Sequence, residues 1–217
     1  MGLFLSYRVQ IIMSELKPQK RKRKPYDACQ VCFLHHDRCI CASIPTLNLK
    51  TKISLIVHAK ELKRTTNTGR LAITALTNSE MRIRGEGRAP LMLTGLLTSN
   101  YRTFLFYPSV DALELDKKLV AESLQPIQLI VPDGSWRQAS KIHTRYPELK
   151  DIQRVKISTP NLAKFHMRAE STPNGMATLE AIAHALGIIE GDEVKEILMK
   201  FYQAKLEATL VGRGQIL

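Results

Sequence analysis

The segment IQLIVPDGSW, residues 127–136, indicates the fold of this chain most directly. Its mostly apolar start has the composition of a strand buried on both faces of a sheet. Pro132 and Gly134 interrupt the strand, Asp133 lies on the turn between them, and Ser135 suits the N-cap of a helix predicted over residues 137–146. The segment therefore predicts a strand that leads through a tight turn into a helix, as in α/β domains.

Sequence patterns elsewhere continue this alternation of strands and helices. Apolar runs predict strands at residues 52–57, 103–107 and 154–157. Apolar residues at helical spacing predict helices at residues 111–123, from residue 179 to about 186, and at residues 193–206. With 217 residues, of which 44% are hydrophobic, the chain is long enough for one α/β domain and a small appendage.

Two candidate ligand sites follow predicted strands. Asp133 leaves the sheet at its carboxyl edge, where open α/β sheets bind ligands, although a purely capping role fits its position equally well. After the strand at residues 52–57 comes TNTG, residues 66–69, ahead of an apolar stretch. Such a loop offers backbone N–H groups to a carboxylate or phosphate, but the same letters also form ordinary turns.

Four cysteines form a compact cluster with the spacing C-x2-C-x6-C-x-C, and they are the only cysteines in the chain: Cys29, Cys32, Cys39 and Cys41. Thiolates at this spacing can take the four corners of a zinc site. Two disulfides are the alternative, which the absence of an evident secretory signal disfavours. Because cysteines can fill every corner, we expect a structural zinc, although His35 or His36 can replace one cysteine.

Positive charge dominates the composition, with a net charge of +12 and a pI near 9.7. Much of it lies in one acid-free run directly before the cysteines: Lys17, Lys20, Arg21, Lys22, Arg23 and Lys24. A basic arm gains affinity for nucleic acid through phosphate contacts, whereas a solubilising tail is the alternative interpretation. Without an apolar stretch of membrane-spanning length, we expect a cytoplasmic protein whose start is either Met1 or Met13. No protein partner is evident.

These features predict three regions: a basic arm at residues 1–27, a zinc-binding module at residues 28–46 and an α/β domain at residues 47–217, which the family resemblance described next implies to be catalytic.

Four motifs together resemble the DTW-domain family of tRNA-uridine aminocarboxypropyltransferases. They are the cysteine cluster, the pattern H-x2-E-x2-R-x2-NTGRL at residues 58–71, the signature DGSW at residues 133–136, and TLEA at residues 178–181. The resemblance implies a SPOUT-like (α/β-knot) domain with a parallel sheet. It also implies transfer of the 3-amino-3-carboxypropyl group of S-adenosylmethionine to N3 of a tRNA uridine, with release of methylthioadenosine.

The resemblance also suggests roles for individual residues. Asp133 is then the base that takes the N3 proton. Six residues are then expected at the S-adenosylmethionine site: Thr68, Gly69, Ser135, Trp136, Leu179 and Glu180. For Glu180, a structural role at a helix start ranks first, although Ala177 stands where related sequences carry the serine of a capping box.

Cations near this presumed site are candidates for RNA phosphate contacts: Arg64, Arg70, Arg137, Lys141 and Arg168. Arg64 or Arg70 can equally hold Glu61 or the carboxylate of the co-substrate. Other functions remain open: a zinc-stabilised RNA-binding protein without catalysis, an RNA methyltransferase that uses the same co-substrate, and the same group transfer to ribosomal RNA.

Overall fold

A parallel six-stranded sheet forms the centre of the protein. The computed structural model describes residues 28–62, 64–85, 90–158 and 175–215, without the side chains of Trp136 and His143. Its strands are β1 (Lys52–His58), β2 (Ser79–Arg84), β3 (Arg102–Phe106), β4 (Leu113–Glu114), β5 (Ile127–Asp133) and β6 (Arg154–Lys156). Their order is β2-β1-β5-β3-β6-β4, and each pair of neighbours is parallel. The predicted α/β domain with a parallel sheet is therefore confirmed.

Helices cover both faces of the sheet, as parallel strands require. Within the described ranges they are α1 (Gly69–Ala75), α2 (Lys117–Ala121), α3 (Trp136–Ala139), α4 (Lys141–Arg145), α5 (Pro147–Lys150), α6 (Thr178–Ile189) and α7 (Asp192–Val211). Apolar side chains of α1, α6 and α7 share one large core with β1 and β5, while α4 and α5 cover a smaller core on the opposite face.

The register of β1 and β5 determines which face each side chain reaches. Leu55 and Val57 of β1 belong to the larger core, whereas Ile56 between them belongs to the smaller one. Val57 pairs with Asp133 of β5, so Asp133 lies on the face of the larger core at the carboxyl edge. His58, one residue further along β1, falls on the opposite face.

The segment that precedes the sheet packs onto the larger core. Cys32, Leu34 and Ile40 are buried in that same cluster, so the cysteine-bearing segment contacts the α/β domain through apolar side chains. Two short 3₁₀ helices lie among the cysteines: His36–Arg38 directly precedes Cys39, and Cys41–Ser43 begins at Cys41. The division at residue 46 remains a prediction.

The helix predicted over residues 111–123 is wrong in its first half. Leu113–Glu114 instead forms the edge strand β4 beside β6, and the helix occupies only Lys117–Ala121. Asp116 starts this helix by accepting a 2.8 Å hydrogen bond from the Leu119 N–H, which makes it an N-cap. Leu113 and Leu115 before this cap are two residues apart, a spacing that fits the period of a strand and not that of a helix.

Other boundaries differ less. The helix predicted over residues 137–146 is divided into α3 and α4 at Ser140, and α7 extends beyond the predicted residues 193–206. Strand β2 was not predicted, because its charged sequence SEMRIR lacks the apolar run of the other strands, and its apolar residues Met81 and Ile83 are exposed, as a sheet edge tolerates. The four predicted strands are confirmed within one or two residues at each end.

Candidate active site

Asp133 is the centre of a buried polar cluster at the carboxyl edge of the sheet. It ends β5 and is only 8% exposed. Its Oδ2 accepts a 2.6 Å hydrogen bond from Asn67 Nδ2, and its Oδ1 accepts a 2.6 Å hydrogen bond from the Thr178 hydroxyl. The loop before α1 and the first turn of α6 therefore meet at one carboxylate, which is more than a helix cap requires.

The TNTG loop is shaped to bring α1 against Asp133. The Asn67 side chain both donates to Asp133 and accepts a 3.1 Å hydrogen bond from the Arg70 N–H in the first turn of α1. A Cβ on Gly69 would lie 3.0 Å from Asp133 Oδ2 and 3.1 Å from the methyl groups of Leu55, so a larger residue would force the carboxylate or Leu55 to shift by a few tenths of an ångström. Thr68 is buried and its Oγ1 accepts a 3.2 Å hydrogen bond from the Leu179 N–H.

Glu180 holds the start of α6. Its Oε2 accepts a 3.2 Å hydrogen bond from the Ala177 N–H, which is one half of a capping box. The other half is missing because the Ala177 side chain has no acceptor. Glu180 is 4% exposed, and this bond supports the structural role that the sequence ranked first.

Ser135 and Gln138 fix the turn that follows Asp133. Gln138 Oε1 accepts hydrogen bonds from the Ser135 N–H at 2.8 Å and from the Ser135 hydroxyl at 3.0 Å. Ser135 therefore occupies the predicted N-cap position of α3, although its hydroxyl donates to a side chain instead of capping a backbone N–H. Trp136 is the first residue of α3, and the position of its side chain lies outside the described part of the structure.

His58 and Arg84 lie beside this turn on the other face of the sheet. They are the last residues of β1 and β2 and are paired in register. The His58 Nδ1 accepts a 3.2 Å hydrogen bond from the Lys60 N–H. Burial, followed by the positive charges of Arg84 and Lys60, lowers the pKa of His58 below its ordinary value, and the opposing effect of Glu61 is smaller.

The predicted RNA-contacting cations divide into three groups. Arg64 donates from Nε to the buried Glu61 at 3.2 Å with its own side chain 55% exposed, and Arg137 is exposed. Arg70 instead stacks on the ring of Phe33 at 4.3 Å and donates to the Leu62 carbonyl, so it joins α1 to the cysteine segment. Lys141 is half-buried, while Arg168 and the basic arm at Lys20–Lys24 lie outside the described residues.

The four cysteines converge as predicted. Their Sγ atoms all lie within 4.8 Å of one another, with Cys29 and Cys41 at 3.5 Å and Cys32 and Cys39 at 3.7 Å. A tetrahedral zinc with Zn–S bonds of about 2.3 Å requires S–S separations of about 3.8 Å. The cluster therefore fits a tetrahedral thiolate-bound metal. His35 Nδ1 instead lies 2.5 Å from Asp37 Oδ1 and takes no corner.

A buried lysine of α7 contacts this cluster, although nothing in the sequence indicated it. Lys205 has no exposed surface and donates from Nζ to the Cys32 carbonyl at 2.6 Å. Burial lowers the pKa of Lys205 to about 8, against the opposing effect of the neighbouring cysteines. A buried ammonium group needs an anion nearby, and the cysteines would supply one as thiolates.

Comparison with known proteins identifies the family. The profile of the DTW domain matches residues 26–210. This chain belongs to the DTW-domain family. The chain is 26% identical over 210 residues to tRNA-uridine aminocarboxypropyltransferase 2 of Macaca fascicularis, a match that covers 93% of this chain and 69% of that protein. The namesake in Drosophila melanogaster is 27% identical over 191 residues, with 84% and 73% covered.

A solved structure is also similar to this DTW-domain protein. The SAM-dependent rRNA:acp-transferase Tsr3 from Vulcanisaeta distributa superposes with a TM-score of 0.49 at 15% identity, over 75% of this chain and 79% of that one. Within the described ranges, no helix has both the length and the apolar character to cross a bilayer.

Gly69 lies against Asp133, Thr68 joins its loop to Leu179, and Glu180 holds the start of the same helix, while the contact of these residues with a co-substrate stays a prediction. Sequence reasoning missed Asn67 and Thr178 as partners of Asp133. Both belong to motifs that the sequence analysis had identified, NTGRL and TLEA. The available signal was that each motif contains a side chain that can donate a hydrogen bond to a carboxylate.

Proposed function

We propose that this protein transfers the 3-amino-3-carboxypropyl group of S-adenosylmethionine to N3 of a tRNA uridine. Membership of the DTW-domain family and the names of its relatives support this assignment. The observation that carries it to particular residues is the buried Asp133, which two family motifs hold at the carboxyl edge of a parallel sheet.

Asp133 is the base in this proposal. The uridine N3 becomes nucleophilic once its proton has moved to the carboxylate. The N3–Cγ bond then forms while the Cγ–S bond breaks, and the sulfur keeps the electron pair, so methylthioadenosine leaves as a neutral thioether. No acid is needed for this departure. The remaining rate enhancement comes from holding N3 and Cγ in line.

The two partners of Asp133 have different parts in this scheme. Asn67 is fixed at both ends, by Asp133 and by the Arg70 N–H, so it orients the carboxylate. The Thr178 hydroxyl rotates about its Cβ–Oγ bond and can turn away from Oδ1. Oδ1 is therefore the oxygen that exchanges its partner for the uridine N3–H.

The TNTG loop and the start of α6 are the two sides of the proposed co-substrate site. Their polar side chains mainly hydrogen-bond within the protein and so hold the two segments in place. Thr68 accepts from Leu179 and Glu180 accepts from Ala177, which ties the TNTG loop to α6. We propose that S-adenosylmethionine contacts backbone and apolar atoms of this junction, with Ser135 and Trp136 on the side of α3.

We further propose that the cysteine cluster holds a structural zinc ion. When bound, zinc supplies a fixed tetrahedral crosslink and no catalysis, because four cysteines leave no corner for water. Lys205 and the Phe33–Arg70 stacking then connect the crosslink to α7 and to α1. The tRNA is expected to be bound by the basic arm and by the exposed Arg64 and Arg137, in a cytoplasmic protein.

Mass spectrometry of the nucleoside and of the by-product tests this function. Purified protein is incubated with S-adenosylmethionine and unmodified tRNA, alongside Asp133→Asn and the exposed control Asp151→Asn. We expect aminocarboxypropyl-uridine and methylthioadenosine from the wild type and the control, and neither from Asp133→Asn. A methylated nucleoside with S-adenosylhomocysteine indicates a methyltransferase, and tRNA binding without product indicates a binding protein.

A further inference from the structure

Arg84 is a buried cation at the carboxyl edge, and no carboxylate pairs with it among the residues that the structure describes. The residue is 6% exposed, and among the described residues its guanidinium makes one hydrogen bond, from Nη2 to the Gln138 carbonyl at 2.5 Å. Its Nε is buried and has no partner. Burying a guanidinium is costly unless a negative charge compensates for it, so this position calls for an anion.

Other arginines with little exposure show what is missing at Arg84. Arg82 pairs with Glu80 at 2.9 Å and Arg102 pairs with Glu122 at 2.6 Å. Arg154 also has an unpartnered Nε, but its Nη1 pairs with Asp111. Arg84 has no carboxylate within ion-pair distance in the part of the chain that the structure describes. A structural arginine would be expected to have one.

Most of the charges that act on Arg84 and His58 are positive, although Tyr146 raises the pKa of Arg84 and Glu61 raises that of His58. His58 is its register partner on β1, and the charges of Arg84 and Lys60 both disfavour the protonated form of this histidine. The exposed Arg145 also acts on Arg84 electrostatically in the unfavourable direction. The result is a local positive potential that attracts an anion.

His58 offers a second donor in the same place. Because its Nδ1 accepts from the Lys60 N–H, a neutral His58 carries its proton on Nε2. Gly85 lies against that atom: its φ is +74°, and a Cβ there would lie 3.1 Å from Nε2, so a larger residue would crowd the ring nitrogen. We refer to the side chains of His58 and Arg84 and the backbone at Gly85 as the cradle.

We propose that Arg84 and His58 bind a phosphate group of the RNA chain next to the modified uridine. This inference rests on the proposed function for the identity of the RNA. Arg84 lies at the same sheet edge as Asp133 but on the opposite face, because its partner His58 alternates with Val57. A polynucleotide can place a base over Asp133 and its phosphate backbone across the sheet edge. The carboxylate of S-adenosylmethionine is the other anion that could bind Arg84 and His58, and the binding measurements distinguish the two.

Binding measurements on the full chain test the cradle without turnover. Dissociation constants for unmodified tRNA, in the absence of S-adenosylmethionine, are measured over a range of NaCl concentrations for the wild type and for Arg84→Met. Affinity should fall about tenfold at low salt, and the slope of log K against log[salt] should fall by about 0.7 to 0.9, the contribution of one phosphate contact. Affinity for S-adenosylmethionine, measured by calorimetry, should not change.

Three further variants keep the outcome interpretable. Arg102→Met removes an equally large cation at the amino end of β3, with an ion-pair partner, and should retain wild-type tRNA affinity. Arg84→Lys keeps the charge but not the planar fork, so the slope should persist while affinity falls. His58→Ala opens the cradle without touching the buried guanidinium and should weaken tRNA binding severalfold.

Unchanged tRNA affinity and slope in folded Arg84→Met and His58→Ala would overturn the proposal. A loss of S-adenosylmethionine affinity with normal tRNA binding would also overturn it, and would assign the cradle to the co-substrate carboxylate. Because these readouts need no product, a failure of the proposed aminocarboxypropyl transfer would appear separately, in the nucleoside mass.

Discussion

Replacing Lys205 by methionine should change the stability of the protein in opposite directions with and without zinc. The ammonium group is fully buried and lies 2.6 Å from the Cys32 carbonyl. Four thiolates around a divalent ion leave a net negative charge, which the lysine offsets. Without the metal and its thiolates, the same ammonium group is a buried cation with one carbonyl partner, which is unfavourable.

The expected magnitudes follow from this contact. Loss of a residue that supports a metal ligand typically weakens zinc binding 10- to 100-fold, which corresponds to about 1.4 to 2.7 kcal/mol. In the metal-free protein, exchange of the buried charge for an apolar side chain of similar length should range from neutral to about 4 kcal/mol stabilising.

Chelator-competition titration gives the zinc affinity, and thermal unfolding with and without the chelator gives the stability of both forms. Lys200→Met provides the matched control, because Lys200 is exposed on the same helix α7. Equal zinc affinities for the two variants, or an equal loss of stability for Lys205→Met in both forms, would refute the reasoning and leave Lys205 as a packing residue.

Three other predictions concern the carboxyl edge and α6. Thr178→Val removes a hydroxyl that leaves Asp133 Oδ1 when the uridine N3–H arrives, so kcat and KM for tRNA should change little; a large loss of kcat would show that this hydroxyl stays on Oδ1 and orients the base. Gly69→Ala forces a methyl group against Asp133 Oδ2 and should destabilise the fold by about 1 to 3 kcal/mol in urea unfolding, and a neutral result would contradict the close approach. Burial and the charge of Lys195 lower the pKa of His184 below 6.5, so the unfolded chain binds the proton more readily than the folded protein. Stability should therefore fall as the pH drops through about 6.5. His184→Gln should flatten this part of the pH profile of Tm, and an unaltered profile would show that His184 does not cause the pH dependence.

The residues that the sequence revealed belong to local patterns. The spacing of Cys29, Cys32, Cys39 and Cys41 is short enough to predict that their Sγ atoms converge, and they do. Asp133 was identifiable because a buried strand runs directly into its turn, so its place at the carboxyl edge follows from the fold class.

The residues that the sequence did not reveal act over long separations. Lys205 meets Cys32 across 173 positions, Asn67 meets Asp133 across 66, and Thr178 meets it across 45. Nothing local distinguishes Lys205 from the exposed Lys200 on the same helix, because their difference is only which face of α7 packs on the core. These contacts are products of the tertiary arrangement.

The edge strand β2 shows the same limit for the fold. Its apolar residues Met81 and Ile83 are partly exposed, so burial leaves no strong pattern in the sequence. In the sequence, nothing distinguishes Arg84, at the end of β2, from the many other cations of this basic chain. Only the absence of a carboxylate beside it in the described structure, in contrast to Arg82 on the same strand, singles it out.

The most direct test of the central claim is the identity and stoichiometry of the by-product that forms when the protein modifies tRNA. The proposed reaction predicts one methylthioadenosine for each modified uridine, with both lost in Asp133→Asn while tRNA binding persists. Formation of S-adenosylhomocysteine, or undiminished turnover by Asp133→Asn, would contradict it.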